Sequence, residues 1–117
     1  MSLIEDIITG GTVKDDFDLD SLSGFKNGVC MIDCGDGKYA CNNATTPGPD
    51  PMTVDGIACF PDEEEATVYM ATPKYGLRGT VVRKTLEEAR AIAVSKPAIQ
   101  ALLFMEGSKV KEIMYVR

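Results

Sequence analysis

The sequence predicts an α+β fold, and three stretches carry that prediction. Residues 98–117, "AIQALLFMEGSKVKEIMYVR", read as two strands joined by Gly107-Ser108, a two-residue hairpin turn with glycine first. Residues 85–96, "TLEEARAIAVSK", open with Thr85 and Glu88 in capping-box spacing, present Leu86, Ala89, Ile92 and Ala93 on one face, and stop before Pro97. Residues 28–43, "GVCMIDCGDGKYACNN", place two strand patterns about the Gly35-Asp36-Gly37 turn.

The remaining elements follow in chain order. Ser2 and Glu5 are spaced as a capping box, and Leu3, Ile4, Ile7 and Ile8 form one apolar stripe that ends at Gly10-Gly11, so a short helix is expected there. Residues 12–27 are acidic and turn-rich, with Phe17, Leu19, Leu22 and Phe25 as anchors for a wrapped loop or a helical turn. After the first hairpin, "TTPGPDP" sets three prolines at alternate positions, which removes amide donors and excludes a central strand. "VDGIACF" reads as a buried strand stopped by Pro61. In residues 61–76, Asp62 and Glu65 are placed to cap a helix, while Val68-Tyr69-Met70 has strand character. The expectation is an acidic turn leading into a strand at 66–72. "LRGTVVRK" reads as a further strand.

A two-residue turn at Gly107-Ser108 implies a register. Glu106 would lie opposite Lys109, Met105 opposite Val110, Leu103 opposite Glu112, Ala101 opposite Met114 and Ile99 opposite Val116. Leu102, Phe104, Ile113 and Tyr115 would then share the other face with Gln100 and Lys111. Both faces are substantially apolar, whereas a half-solvated sheet alternates apolar with polar. Helices can cover one face. The second needs another layer, which a second sheet, a partner subunit or the acidic N-terminal segment could supply; a homodimer is expected, with Leu102, Phe104, Ile113 and Tyr115 as interface candidates.

Composition bounds the chemistry. The 117 residues suit a single domain, 1–117, with ordinary globular proportions: 44% hydrophobic and 26% charged. No secretory leader pattern opens the chain, and the longest apolar run, Ala101–Met105, is far too short to span a bilayer. A soluble, cytoplasmic protein without membrane association is expected. Histidine is absent, which removes Ser/His and Cys/His nucleophile pairs and the commonest metal ligand. The net charge of −6 conceals an asymmetry: residues 1–65 hold 14 acidic and 3 basic residues, and residues 66–117 hold 4 and 9. Packing of the acidic half beside the basic half accounts for this. Dispersed Lys and Arg in an acidic chain argue against a nucleic-acid partner.

Several motifs resolve to ordinary roles. Asp16, Asp18 and Asp20 fall at calcium-loop positions 1, 3 and 5, but Ser21 stands where glycine is needed and Asn27 where glutamate is needed, so an EF-hand is rejected. An irregular calcium site using Asp15, Asp16, Asp18 and Asp20 is weighed against a solvated acidic loop, which is the simpler account. Asp20-Ser21-Leu22 resembles a phosphopantetheine attachment triplet, yet Gly24 and a hairpin follow where acyl carriers continue into a long helix. Asn43-Ala44-Thr45 fits the glycosylation sequon, which matters only in an exported chain. The Asp62–Glu65 run reads as helix-start or solubilising charge.

The four cysteines, Cys30, Cys34, Cys41 and Cys59, match no zinc or C-x-x-C redox spacing. On one strand Cys30 and Cys34 would be roughly 13 Å apart at about 3.3 Å per residue, too far for a disulfide. A two-residue turn at Asp36-Gly37 places Cys30, Ile32, Cys34, Tyr39 and Cys41 on one face, and a three-residue turn moves Cys41 to the other. Buried thiols in the core are the simpler account. A metal or thiol-reactive centre at Cys30, Cys34 and Cys41 is the rival.

The strand, helix and strand order of the C-terminal half resembles the ferredoxin-like sandwiches that pair as dimeric α+β barrels, including small marine metagenomic families. The resemblance implies an antiparallel sheet with helices on one face and a homodimer. The proline segment and the weak second helix depart from the usual βαββαβ plan. Some members are monooxygenases or haem-degrading enzymes, but a histidine-free chain offers no obvious haem ligand, and no functional residue is carried over. The expected function is a self-associating α+β protein that binds a small ligand and uses no cofactor. A thiol or metal protein is one alternative, and an enzyme with Tyr69, Tyr75, Arg78 or Arg83 in a barrel interior is the other.

Overall fold

A computed structural model describes Phe25, residues 28–46 and residues 48–117. The expected helix at residues 2–9, the acidic segment with Asp15, Asp16, Asp18 and Asp20, and the Ser21 triplet lie outside the described residues. The described elements run β1 (Val29–Gly35), β2 (Lys38–Tyr39), β3 (Cys41–Thr45), β4 (Thr53–Cys59), α1 (Glu63–Ala71), β5 (Thr80–Lys84), α2 (Leu86–Val94), β6 (Ala101–Glu106) and β7 (Lys109–Tyr115). Among the described residues no helix is long and apolar enough to cross a membrane.

An α+β class is observed, but the single antiparallel sheet is replaced by two sheets. One has the order β2-β1-β5 and is antiparallel; the other has the order β3-β4-β6-β7 and is mixed, because β4 and β6 run parallel. A parallel pair needs a long crossover, and here it consists of α1, β5 and α2. The sheets join at a corner. Ala40, between β2 and β3, donates to Ile32 O at 2.9 Å and accepts from Ala58 N at 3.0 Å, and Cys30 and Phe60 exchange both backbone bonds at 2.8 Å. Thus one continuous strand pair feeds two sheets.

Both hairpins have two-residue turns, as expected at Gly107-Ser108 and as one of the two alternatives at Asp36-Gly37, and both then slip by one residue. In the first, Asp36 (φ 54°) and Gly37 (φ 74°) are left-handed, as a type I′ turn requires. Gly35 pairs with Lys38, but the next pair is Asp33 with Tyr39, so Cys34 is an extra residue on β1. The Asp33 carboxylate accepts from Gly35 N at 2.9 Å and helps hold this bend. In the second, Glu106 pairs with Lys109 and Met105 with Val110, but Phe104 then pairs with Glu112, Leu103 with Ile113 and Ala101 with Tyr115. The bulge at Lys111 overturns the expected register beyond Val110. Ile113 and Tyr115 therefore join Leu103 and Met105, on the face opposite Leu102 and Phe104.

Residues 63–71 form a helix, which corrects the strand expected at 66–72. The cap outweighs the local β propensity of Val68-Tyr69-Met70: Asp62 accepts from Glu65 N at 2.8 Å, and three glutamates occupy the positive first turn. Helix α2 has the full capping box, with Thr85 Oγ1 accepting from Glu88 N at 3.0 Å and Glu88 Oε1 accepting from Thr85 N at 2.9 Å.

The two helices lie on opposite faces, not on one. Ala66 and Tyr69 of α1 pack with Ile32, Phe60, Leu103, Met105 and Ile113, whereas Ala89 and Ala93 of α2 pack with Met31, Ile57, Leu102, Phe104 and Met114. Alternation along β6 feeds both cores. Phe25 closes the α2 side, its ring edge-on to Phe104 with centroids 5.1 Å apart. Both faces of β6 and β7 are thus covered within one chain, and the unmet second layer that motivated a partner subunit is supplied by the helices themselves.

Helix α2 has no basic residue in its last turn, and Arg117 supplies the cation from β7's extension. Its guanidinium donates to the carbonyls of Val94 (2.7 Å), Lys96 (2.6 Å), Ala93 (3.3 Å) and Ile99 (2.7 Å). Ala93 and Val94 close the last turn at the negative end of the helix, and Lys96 and Ile99 belong to the segment that follows it. Arg117→Ala is expected to lower unfolding stability by about 1–2 kcal/mol, read as a lower urea midpoint with an unchanged slope. A midpoint equal to the parent's would show that water replaces the guanidinium at no cost.

Candidate functional site

A groove of about 600 Å³ lies between α1, the turn that follows it and the Gly107-Ser108 turn. Its construction is readable from helical spacing. Asp62, Glu65, Tyr69 and Thr72 recur at intervals of three and four, so they share one side of α1, with Glu64 and Val68 beside them. Pro73 cannot continue the helix, and the chain turns there, with Tyr75 N donating to Thr72 O at 3.1 Å. That turn folds Tyr75 back onto Tyr69. Their rings stack with centroids 4.3 Å apart and planes 16° from parallel.

The tyrosine pair is held from behind. Tyr69 is 3% exposed, its ring is tilted against Phe60 at 4.9 Å, and its hydroxyl accepts from Asn42 Nδ2 of β3 at 2.9 Å. Burial raises the Tyr69 phenol above its usual range, and the neighbouring Tyr75 adds to the rise against the opposing Asn42 bond. Tyr69 is therefore a neutral phenol near pH 7, with no role as a base. The opposite wall is tied to the helix by Glu65 Oε1, which accepts from Gly107 N at 3.0 Å.

The groove is chemically two-sided. Val68 is 64% exposed beside the half-buried Tyr75, so an apolar strip faces solvent. Asp62, Glu64 and Glu65 line it as well, against the single ammonium of Lys74, which stands 5.8 Å from the Tyr75 ring centroid. A second, shallower hollow of about 300 Å³ is lined by Cys41, Asn42, Asn43, Asp55, Ala98 and Ile99.

The cysteines do not converge. Cys30 and Cys34 lie on the α1 side, whereas the slip at Cys34 sends Ala40 to that side and Cys41 to the opposite one. The two-residue turn is thus present, yet the bulge gives the face assignment expected of three. Among the described residues no group of three or more cysteine or acidic side chains is placed to hold a metal. Burial pushes the Cys30, Cys41 and Cys59 thiols up, which leaves them protonated and weakly nucleophilic near pH 7. Cys41 is exposed as a residue, but its Sγ is turned back against the backbone, 3.2 Å from Tyr39 O.

Of the interface candidates, Leu102, Phe104 and Ile113 are fully buried inside the chain, and Tyr115 is half-buried. They fall on two faces, so they do not form one patch. Of the barrel-interior candidates, Tyr69 and Tyr75 come together, while Arg78 and Arg83 are exposed and do not line the groove. The helix-start role read for Asp62–Glu65 is observed, but their place in the groove, with Val68, Thr72 and Lys74, is not evident from the sequence. The available signal was the Asp62-x-x-Glu65 cap followed by Tyr69 at i+4, which predicts a helix with a carboxylate above an aromatic ring. No family model, curated protein or solved structure matches the chain.

Proposed function

We propose that this chain is a binding domain for a small organic ligand, taken in the groove beside α1. The observation that carries this reading is the stacked Tyr69 and Tyr75 pair at the floor of a 600 Å³ concavity bordered by exposed Val68. Ligand sites combine an apolar, aromatic lining with a few placed polar groups, and this groove has both. Its aromatic floor is preformed by Phe60 and Asn42, which lowers the ordering cost of binding.

The reading is tested by screening a fragment library against isotope-labelled protein and mapping amide shifts. Fragments are expected to perturb residues 62–76 and 107–108, with the response lost in Tyr75→Ala. Hits that avoid this region, or that survive Tyr75→Ala unchanged, would overturn it.

A further inference from the structure

The groove's own side chains point to the class of ligand, and on the reading that it is a ligand site we infer that it selects a small organic cation, bound over Tyr75 in the position now taken by the Lys74 ammonium. Three features support this. First, Tyr69 stacks on one face of Tyr75 at 4.3 Å, and the Lys74 ammonium stands 5.8 Å from the same ring, within the range of a cation–π contact. The chain therefore already satisfies this ring with a positive charge of its own.

Second, the charge of the lining is unbalanced. Three carboxylates, Asp62, Glu64 and Glu65, stand against one ammonium, so the groove attracts cations and repels anions. Asp62 and Glu65 are also fixed in place. One accepts from Glu65 N at 2.8 Å as the helix cap, and the other accepts from Gly107 N at 3.0 Å. Third, exposed Val68 supplies an apolar surface beside these charges, which suits alkylated nitrogen better than a bare, strongly hydrated ammonium.

Lys74 is exposed on a flexible stem, so a ligand with a fixed, weakly hydrated charge can displace it at small cost. Lys74 thus acts as a resident competitor.

Choline and its uncharged isostere 3,3-dimethylbutan-1-ol, titrated into labelled full-length protein, test the inference. Choline is expected to shift the amides of residues 62–76 and to bind at least about tenfold more tightly than the alcohol. Tyr75→Leu should weaken choline about tenfold, and Lys74→Met should tighten it several-fold, with the parent's amide dispersion retained in both. Equal binding of choline and alcohol would overturn the cation inference and leave the groove reading standing, as would fragment hits in the groove without choline binding. Weaker choline binding in Lys74→Met would overturn the displacement step. Silence from choline, the alcohol and the fragment library together would overturn both the inference and the function it rests on.

Discussion

Gly56→Ala is expected to lower the stability of this domain by about 3 kcal/mol. Gly56 lies in β4 opposite Ala101, at the start of the parallel pairing with β6. A Cβ there would stand 2.6 Å from Ala101 O and 2.7 Å from Leu103 Cγ. The leucine has other rotamers, but the carbonyl belongs to a strand held on both sides, by β4 and by β7. Relief requires β4 and β6 to separate, which strains the pairs from Gly56–Ala101 to Cys59–Phe104 together with the neighbouring Gln100 N to Asp55 O bond at 2.9 Å. The measurement is a denaturant midpoint and a melting temperature, the latter falling by roughly 12 °C at about 4 °C per kcal/mol for a chain of this size. A loss below about 1 kcal/mol would mean that the parallel pair can adjust its spacing.

Phe104→Ala is expected to cost about 3–5 kcal/mol, with a loss that does not change on dilution. Phe104 is fully buried between Phe25 and the α2 side of the sheet, and truncation removes both the area and the edge-on ring contact. Typical domains hold 5–15 kcal/mol in total, so the variant is expected to sit near its unfolding threshold. Concentration dependence is the informative control. If Phe104 met a second copy of the chain, the melting temperature would rise with protein concentration in the parent and lose that dependence in the variant. Burial inside one chain predicts the same concentration dependence in both.

The legible parts of this fold share a physical character. The Gly107 turn, the Asp36-Gly37 turn, the Thr85 capping box and the stops at Pro61, Pro73 and Pro97 all depend on φ preference or on a missing amide. They act within four residues and can be read from the residues concerned. The candidate site was legible only in fragments. Tyr69 and Tyr75 were visible as aromatic residues, but their stacking requires α1 to be a helix, and local propensity at Val68-Tyr69-Met70 argued for a strand.

What the residues settled unaided was therefore the class, the positions of both hairpins and the capped helix at 86–94. Which face each side chain meets was settled elsewhere. A single extra residue, Cys34 in one hairpin and Lys111 in the other, reverses every side chain beyond it. The bulge at Lys111 puts Ile113 and Tyr115 with Leu103 under α1, and the slip at Cys34 parts Cys41 from Cys30. A bulge costs a local ladder bond, but its return lies in placing Ile113 and Tyr115 in the core that Leu103, Met105, Ala66 and Tyr69 share. Only the packed structure brings those terms together, and it likewise turns the β4–β6 pairing parallel by routing α1, β5 and α2 between them.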